Sequence, residues 1–163
     1  VFFLASKLHS MSFSGAQTTF WIYAGLMGVS MATIFMTFTG ASVARVFFIT
    51  AGTFAAMSLY GYTTKKDLSK FGSFLFMGLI GIIIASLVNI FLESSALQFA
   101  ISVIGVLVFV GLTAYDTQNI KNEYDEYHDE ETSGKLAISG ALRLYLDFIN
   151  LFIMLLHLFG DRR

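Results

Sequence analysis

Three features are absent or scarce in this sequence. Its 163 residues include no cysteine and no proline, and only 13% are charged. Without cysteine, disulfide bonds and thiolate metal sites are excluded. The charged fraction is about half of what soluble domains carry. A formal net charge of −1 without a basic stripe argues against nucleic-acid binding.

Long hydrophobic runs make up most of the chain, and 56% of its residues are hydrophobic. A membrane-spanning helix needs roughly 20 predominantly apolar residues. We therefore predict an all-α, polytopic transmembrane bundle, with residues 1–163 as one transmembrane domain. Residues 1–4 are too few to span and are interpreted as the end of a preceding helix. The predicted spans are 17–38, 46–63, 71–92, 97–118 and 136–158.

Positive charges are unevenly divided between the two sides of this predicted bundle. One side carries six lysines, and the other carries three arginines. The positive-inside rule predicts that the lysine side faces the cytoplasm. The hydrophilic stretch 121–135, KNEYDEYHDEETSGK, is predicted to be a solvated loop on the lysine side. The six lysines are Lys7, Lys65, Lys66, Lys70, Lys121 and Lys135, and the arginines are Arg45, Arg162 and Arg163.

The last hydrophobic run carries a polar stripe. Arg143, Asp147 and Asn150 fall on one helical face, while the other faces are leucine, isoleucine and phenylalanine. A charge in the hydrocarbon layer costs at least about 2.5 kcal/mol, so such side chains face a partner or a wet cavity. The other acid within a hydrophobic run, Asp116, is the predicted partner. Thr113 lies one turn before Asp116.

Asn89 lies on a face of the third span that also carries small residues. A packing groove, with Asn89 hydrogen-bonded to a neighbouring helix, is favoured over a pore-lining amide.

Four stretches together resemble the Bax inhibitor-1 family, the proteins with the transmembrane Bax inhibitor motif. The stretch GLTAYDTQ at 111–118 carries the signature. The other three occur in family order, and the resemblance covers essentially the whole chain. They are MSLYGYTTK at 57–65, IASLVN at 84–89 and LYLDFINLF at 144–152.

This resemblance implies a seven-helix fold, of which five complete helices and the tail of a sixth are present. It implies a multi-pass protein of the bacterial inner membrane. It also implies a pH-dependent calcium leak, with Asp116 and Asp147 matching the family's sensor aspartates. The family's latch arginine is not matched here, and Arg143 is not its equivalent. Expected partners are the lipid bilayer, calcium or other cations, and membrane proteins; no cofactor is expected beyond calcium as permeant ion.

The chemistry of the residues fits a switch at Asp116 and Asp147. Two facing carboxylates in a poorly hydrated site titrate as one coupled unit. At low pH they share a proton, and at higher pH they repel and admit a cation, with transient calcium at the pair. Arg143, Asn150, Asn89 and Thr113 are the candidate supporting polar residues.

Two alternatives concern the pair itself. Arg143 lies one turn from Asp147, and an internal ion pair between them would leave a polar helix with no gate. Asp116 and Asp147 would also lie at different depths in the bundle as the spans are predicted. Their side chains meet only if the helix of Asp116 continues past that residue, or if the last span effectively starts near residue 141.

Two other function classes compete with the channel. One is a non-conducting membrane regulator that binds partners such as proteolytic quality-control machinery. The other is an intramembrane aspartyl protease, which also needs two aspartates on adjacent helices. That protease class has a Tyr-Asp signature and a Gly-x-Gly-Asp signature, and the sequence contains only the first, in Ala114-Tyr115-Asp116. We therefore predict that the chain is not an enzyme.

Overall fold

The computed structural model describes residue 7, residues 10–126 and residues 129–163. Within these residues, β-pairing is limited to an isolated bridge between Phe38 and Arg162. In this described part of the chain, five segments are long and apolar enough to cross a membrane, with α1 and α2 forming one of them. The predicted all-α transmembrane bundle is confirmed, while the segment predicted at 1–4 lies outside the described residues. The helices are α1 (Phe13–Met31), α2 (Ile34–Thr37), α3 (Gly40–Thr63), α4 (Ser69–Leu92), α5 (Ser95–Glu126) and α6 (Glu130–Phe159).

Side-chain caps fix where three of these helices begin. Ser12 accepts a hydrogen bond from the Gly15 N–H at 3.2 Å and starts α1. The hydroxyl of Thr39 caps α3 in the same way, and the carboxylate of Asp129 caps α6. Each cap satisfies an N–H group that has no partner within the helix. Because the caps are polar residues outside the apolar runs, these helices begin before the hydrophobic runs do.

The prediction that residues 121–135 form a loop is wrong for those of them that the structure describes. The helix α5 continues to Glu126, past residue 118, and α6 begins at Glu130 instead of residue 136. The acidic stretch can be helical because Asp129 caps α6 and Glu131 pairs with Lys135 one turn later, at 3.5 Å. Both helices therefore extend beyond their apolar segments. Asp116 consequently lies within α5, well before its end.

The helix α5 occupies the centre of the bundle and packs against α3, α4 and α6. The core between these helices is apolar and includes the fully buried Val46 and Leu151. By contrast, α1 packs on α6 through a small separate cluster around Ala16. Large apolar side chains on the outside, such as Phe91 at 88% exposure, suit a surface that faces lipid.

The two ends of the bundle differ in charge. The lysine end contains the α3–α4 connection at 64–68 and the hydrophilic ends of α5 and α6. The C-terminal end contains the α4–α5 turn and residues 160–163. There, Arg45 of α3 donates to the Phe159 carbonyl and pairs with Asp161 at 3.1 Å. The backbone N–H of Arg163 donates to Thr37. These bonds hold the chain's last residues against the start of α3.

Candidate functional site: a buried aspartate pair

Asp116 of α5 and Asp147 of α6 lie side by side inside the bundle. Their side chains are only 8% and 5% exposed. They are close enough for the charge on one carboxyl group to act on the other. The two acids predicted to be partners are therefore brought together. Their role as a sensor remains a prediction.

Close packing of two antiparallel helices sets the register of this pair. A Cβ at Gly105 of α5 would lie 2.9 Å from Cγ of Met154 on α6. A Cβ at Gly140 of α6 would likewise lie 2.9 Å from Cγ1 of Ile120 on α5. Because each glycine accepts the partner's side chain, the helix axes approach closely on both sides of the pair. This register places Asp116 within about one helical turn of the level of Asp147, and the extension of α5 past Asp116 makes it possible.

The hydrogen bonding of the pair depends on its protons. Ionised carboxylates only accept hydrogen bonds, so two ionised aspartates cannot bond to each other. Oδ2 of Asp147 is buried and has no hydrogen-bond donor among the described residues. A proton on either acid supplies that donor and lets the pair bond across the helix interface. The arrangement thus has two chemically distinct states, joined when protonated and repelling when ionised.

Arg143 forms its ion pair with a residue other than Asp147. Its Nη2 donates to Oε2 of Glu123 on α5 at 2.8 Å. The internal Arg143–Asp147 ion pair considered above is therefore not the contact that the structure shows. The positive charge of Arg143 still acts on Asp147 from one turn away. Nε of Arg143 is buried and makes no hydrogen bond within the described part of the chain.

The other predicted supporting residues divide into near and distant ones. The Thr113 hydroxyl donates to the Phe109 carbonyl at 2.7 Å, and the Asn150 amide donates to the Leu146 carbonyl at 2.8 Å. Both lie within a turn of the pair but use their donors on their own helices.

Asn89 is not near the pair. Its Nδ2 donates to Oε1 of Gln98 at 3.4 Å, and its Oδ1 accepts from the Ser94 N–H at 3.0 Å. Gln98 lies about 27 Å along α5 from Asp116, at roughly 1.5 Å per residue. Asn89 therefore holds the α4–α5 turn at the C-terminal end, and the bond to a neighbouring helix agrees with the favoured interpretation of this residue.

Gln118 is a structural residue whose role the sequence does not reveal. It is 8% exposed, its Oε1 accepts from the Leu68 N–H at 2.8 Å, and its Nε2 donates to the Lys66 carbonyl at 2.7 Å. Nearby, Nζ of Lys121 donates to the Tyr62 carbonyl at 3.0 Å. These contacts fasten the α3–α4 connection to α5, two residues after Asp116. The signature stretch at 111–118 includes Gln118, but only the fold shows what it binds.

The pair supplies two carboxylates for a cation and no larger cluster. Among the described residues, no group of three or more histidine, cysteine, aspartate or glutamate side chains is placed to hold a metal ion. Two carboxylates, backbone carbonyls and water give oxygen ligands of the kind that calcium prefers.

Comparison with known proteins agrees with this architecture. Residues 1–163 match the model of the family described as "Inhibitor of apoptosis-promoting Bax1". The chain is 54% identical over 165 residues to the inner membrane protein YbhL of Escherichia coli, covering 100% of this chain and 70% of that protein. It is 55% identical over 153 residues to an uncharacterized protein of Rickettsia prowazekii, covering 94% of this chain and 65% of that protein. An uncharacterized membrane protein of Streptococcus pyogenes is 42% identical over 158 residues, covering 97% of this chain and 69% of that protein.

Proposed function

This chain belongs to the Bax inhibitor-1 family, and on that premise we propose that it is a pH-sensitive leak channel for calcium or other cations. It is a multi-pass protein of the bacterial inner membrane. The observation that carries the proposal is the burial of Asp116 against Asp147 at the interface of α5 and α6. Burying an acid within the bundle costs free energy, and burying two side by side costs more. A pair placed there at this cost therefore indicates a functional role.

The pair acts as the gate through its proton count. With one proton between them, Asp116 and Asp147 share a hydrogen bond that joins α5 to α6. With both ionised, they repel in a medium of low dielectric constant, and the helix interface loosens. The ionised pair then presents oxygen ligands of negative charge, which attract a divalent cation. Proton binding and cation binding thus compete for the same four oxygen atoms.

Arg143, one turn before Asp147, and Glu123, about two turns after Asp116, support this gate. The guanidinium of Arg143 is held by Glu123 at 2.8 Å, which directs it away from Asp147. A full ion pair between Arg143 and Asp147 would neutralise the carboxylate that the gate needs. Glu123 therefore preserves the mutual repulsion of the aspartates by holding Arg143.

The test is calcium influx into liposomes that contain the purified full chain, followed with an indicator trapped inside over a series of pH values. Asp116→Asn and Asp147→Asn each remove one titrating carboxylate while keeping its size. We expect either variant to change the flux and to shift or flatten its pH dependence. Asp67→Asn is the matched control, because Asp67 is an exposed carboxylate in the α3–α4 connection.

Two results would contradict the channel. If flux and pH response are unchanged in both variants, the pair is not the gate. If the protein gives no flux at any pH, the alternative of a non-conducting membrane regulator is favoured, and the pair is a structural hydrogen bond between helices.

A further inference from the structure

A polar cleft opens at the C-terminal end of the bundle, far from the aspartate pair. Its volume is about 490 Å³, and its lining includes Asn89, Glu93, Gln98 and Ser102. The Gln98 amide donates to the Ser102 hydroxyl at 3.3 Å. Ser102 is only 1% exposed. Polar groups therefore reach from the surface turn into the α5–α6 interface and stop at Ser102.

Between Ser102 and Thr113, α5 carries only apolar residues, and the polar side chain of the facing stretch of α6, Asn150, donates to the Leu146 carbonyl of its own helix. Phe109 is 4% exposed, and on the facing helix Leu151 is fully buried. Met154 of α6 covers Gly105 so closely that a Cβ there would lie 2.9 Å from its Sδ. This apolar segment is about 16 Å long at roughly 1.5 Å per residue. Hydrated ions do not enter such a segment while its walls are in contact.

On the lysine side, a second cavity lies near the pair, although neither aspartate lines it. This cavity has a volume of about 410 Å³, and it is lined by Thr117, which follows Asp116, and by Leu144, which is one turn before Asp147. Lys121 and two tyrosines complete its polar rim. A cavity thus lies near the pair on one side, and the apolar segment separates the pair from the cleft on the other.

We propose that the cleft is the C-terminal mouth of a path for hydrated cations, and that Met154 seated on Gly105, with Phe109 and Leu151, is the barrier that closes it. This inference rests on the proposed function. Met154 lies two turns along α6 from Asp147 on the same face, about 10 Å away. Repulsion at the pair that parts α5 from α6 therefore also withdraws Met154 from Gly105. An unbranched methionine side chain can move in this way without disturbing its neighbours.

The absence of cysteine from the chain allows a direct test. Single cysteines are introduced as Gln98→Cys, in the half-buried lining of the cleft, or as Thr113→Cys, and a charged, membrane-impermeant methanethiosulfonate reagent is added from the C-terminal side of oriented vesicles. We expect Gln98→Cys to react and Thr113→Cys to remain protected. In a double variant that adds Met154→Ala to Thr113→Cys, the cysteine should react at least about tenfold faster, because removal of the methionine side chain shortens the apolar barrier.

Two matched variants control for general loosening. Met154→Leu keeps an apolar side chain over Gly105 and should leave Thr113→Cys protected. Met77→Ala removes a methionine that is 69% exposed on α4 and should also change nothing. The barrier is overturned if Thr113→Cys reacts equally fast with Met154 in place, if Met77→Ala speeds its reaction as much as Met154→Ala does, or if Gln98→Cys does not react.

Labelling and flux together separate this inference from the proposed function. The expected labelling pattern without any calcium flux would support the barrier and contradict the channel. Calcium flux that responds to Asp116→Asn, together with free labelling of Thr113→Cys, would support the channel and contradict the barrier.

Discussion

Gly61 of α3 lies directly against the backbone of Ala114 on α5. A Cβ at Gly61 would overlap the carbonyl oxygen of Ala114. Two of the four family stretches, 57–65 and 111–118, therefore meet at this crossing. Since Ala114 is two residues before Asp116, the contact with α3 fixes the position of α5 at the level of the aspartate pair.

Gly61→Ala should destabilise the protein. The added methyl group has no space at the α3–α5 crossing, and the backbone of α5 cannot move as a side chain can. Overpacking of this kind costs about 1–3 kcal/mol. Thermal unfolding in detergent would show a lower midpoint for this variant. Gly52→Ala on the same helix is the control, since no atom lies within 4 Å of a Cβ there; an equal loss in both variants would contradict the close crossing.

Gln118→Leu should release the connection between α3 and α4. The variant leaves the Leu68 N–H and the Lys66 carbonyl without their side-chain partner. A loss of about 1–2 kcal/mol in local stability increases local opening roughly 5- to 30-fold. Trypsin cleavage after Lys65 and Lys66 would report that increase. Asn122→Leu, an exposed amide on the same helix, should leave the cleavage rate unchanged, and equal acceleration in both variants would count against the clamp.

The helices could be predicted from the sequence, whereas several of their ends could not. Apolar runs longer than a bilayer crossing identify spans regardless of what surrounds them. The acidic stretch 121–135 reads as a loop because hydrophobicity stops there. In the structure, α5 extends into this stretch as far as Glu126, and α6 begins within it at Glu130, where Asp129 caps the helix and Glu131 pairs with Lys135. Hydropathy reports where the membrane core ends, and capping decides where the helix ends.

The candidate site was predictable only in part. The polar stripe on the last span identifies Asp147 as a buried residue that needs a partner. The position of Asp116 along α5 relative to Asp147 depends on the close contacts at Gly105 and Gly140, which only the structure shows. Spacing places Arg143 one turn from Asp147. It cannot show that Glu123, on another helix, takes the ion pair instead.

The Glu123–Arg143 ion pair should couple α5 to α6 measurably. Both side chains are about one-third exposed, at 35% and 31%. A double-mutant cycle of Glu123→Gln and Arg143→Gln should therefore give a coupling energy of about 1 kcal/mol, the upper part of the range for partly exposed pairs. The Glu131–Lys135 pair, a longer contact of 3.5 Å within one helix, is the reference and should give only about 0.3–0.5 kcal/mol. A Glu123–Arg143 coupling no larger than this reference would contradict the assignment.

The start of α6 should be sensitive to acid through its cap. The Asp129 carboxylate accepts hydrogen bonds from the backbone N–H and the hydroxyl of Thr132, and these bonds lower the pKa of Asp129 below its ordinary value of 3.8. A lowered pKa in the folded state means that the cap stabilises α6 fully above about pH 3.8, and that this contribution is lost as the pH falls through the folded-state pKa. Hydrogen exchange of the first-turn amides of α6, corrected for intrinsic rates, should therefore show protection that declines in that acid range. Asp129→Asn keeps a capping oxygen that does not titrate, so its protection should stay flat there, whereas Asp129→Ala should lose protection at every pH. An acid-dependent decline that persists in Asp129→Asn would assign the effect to another group.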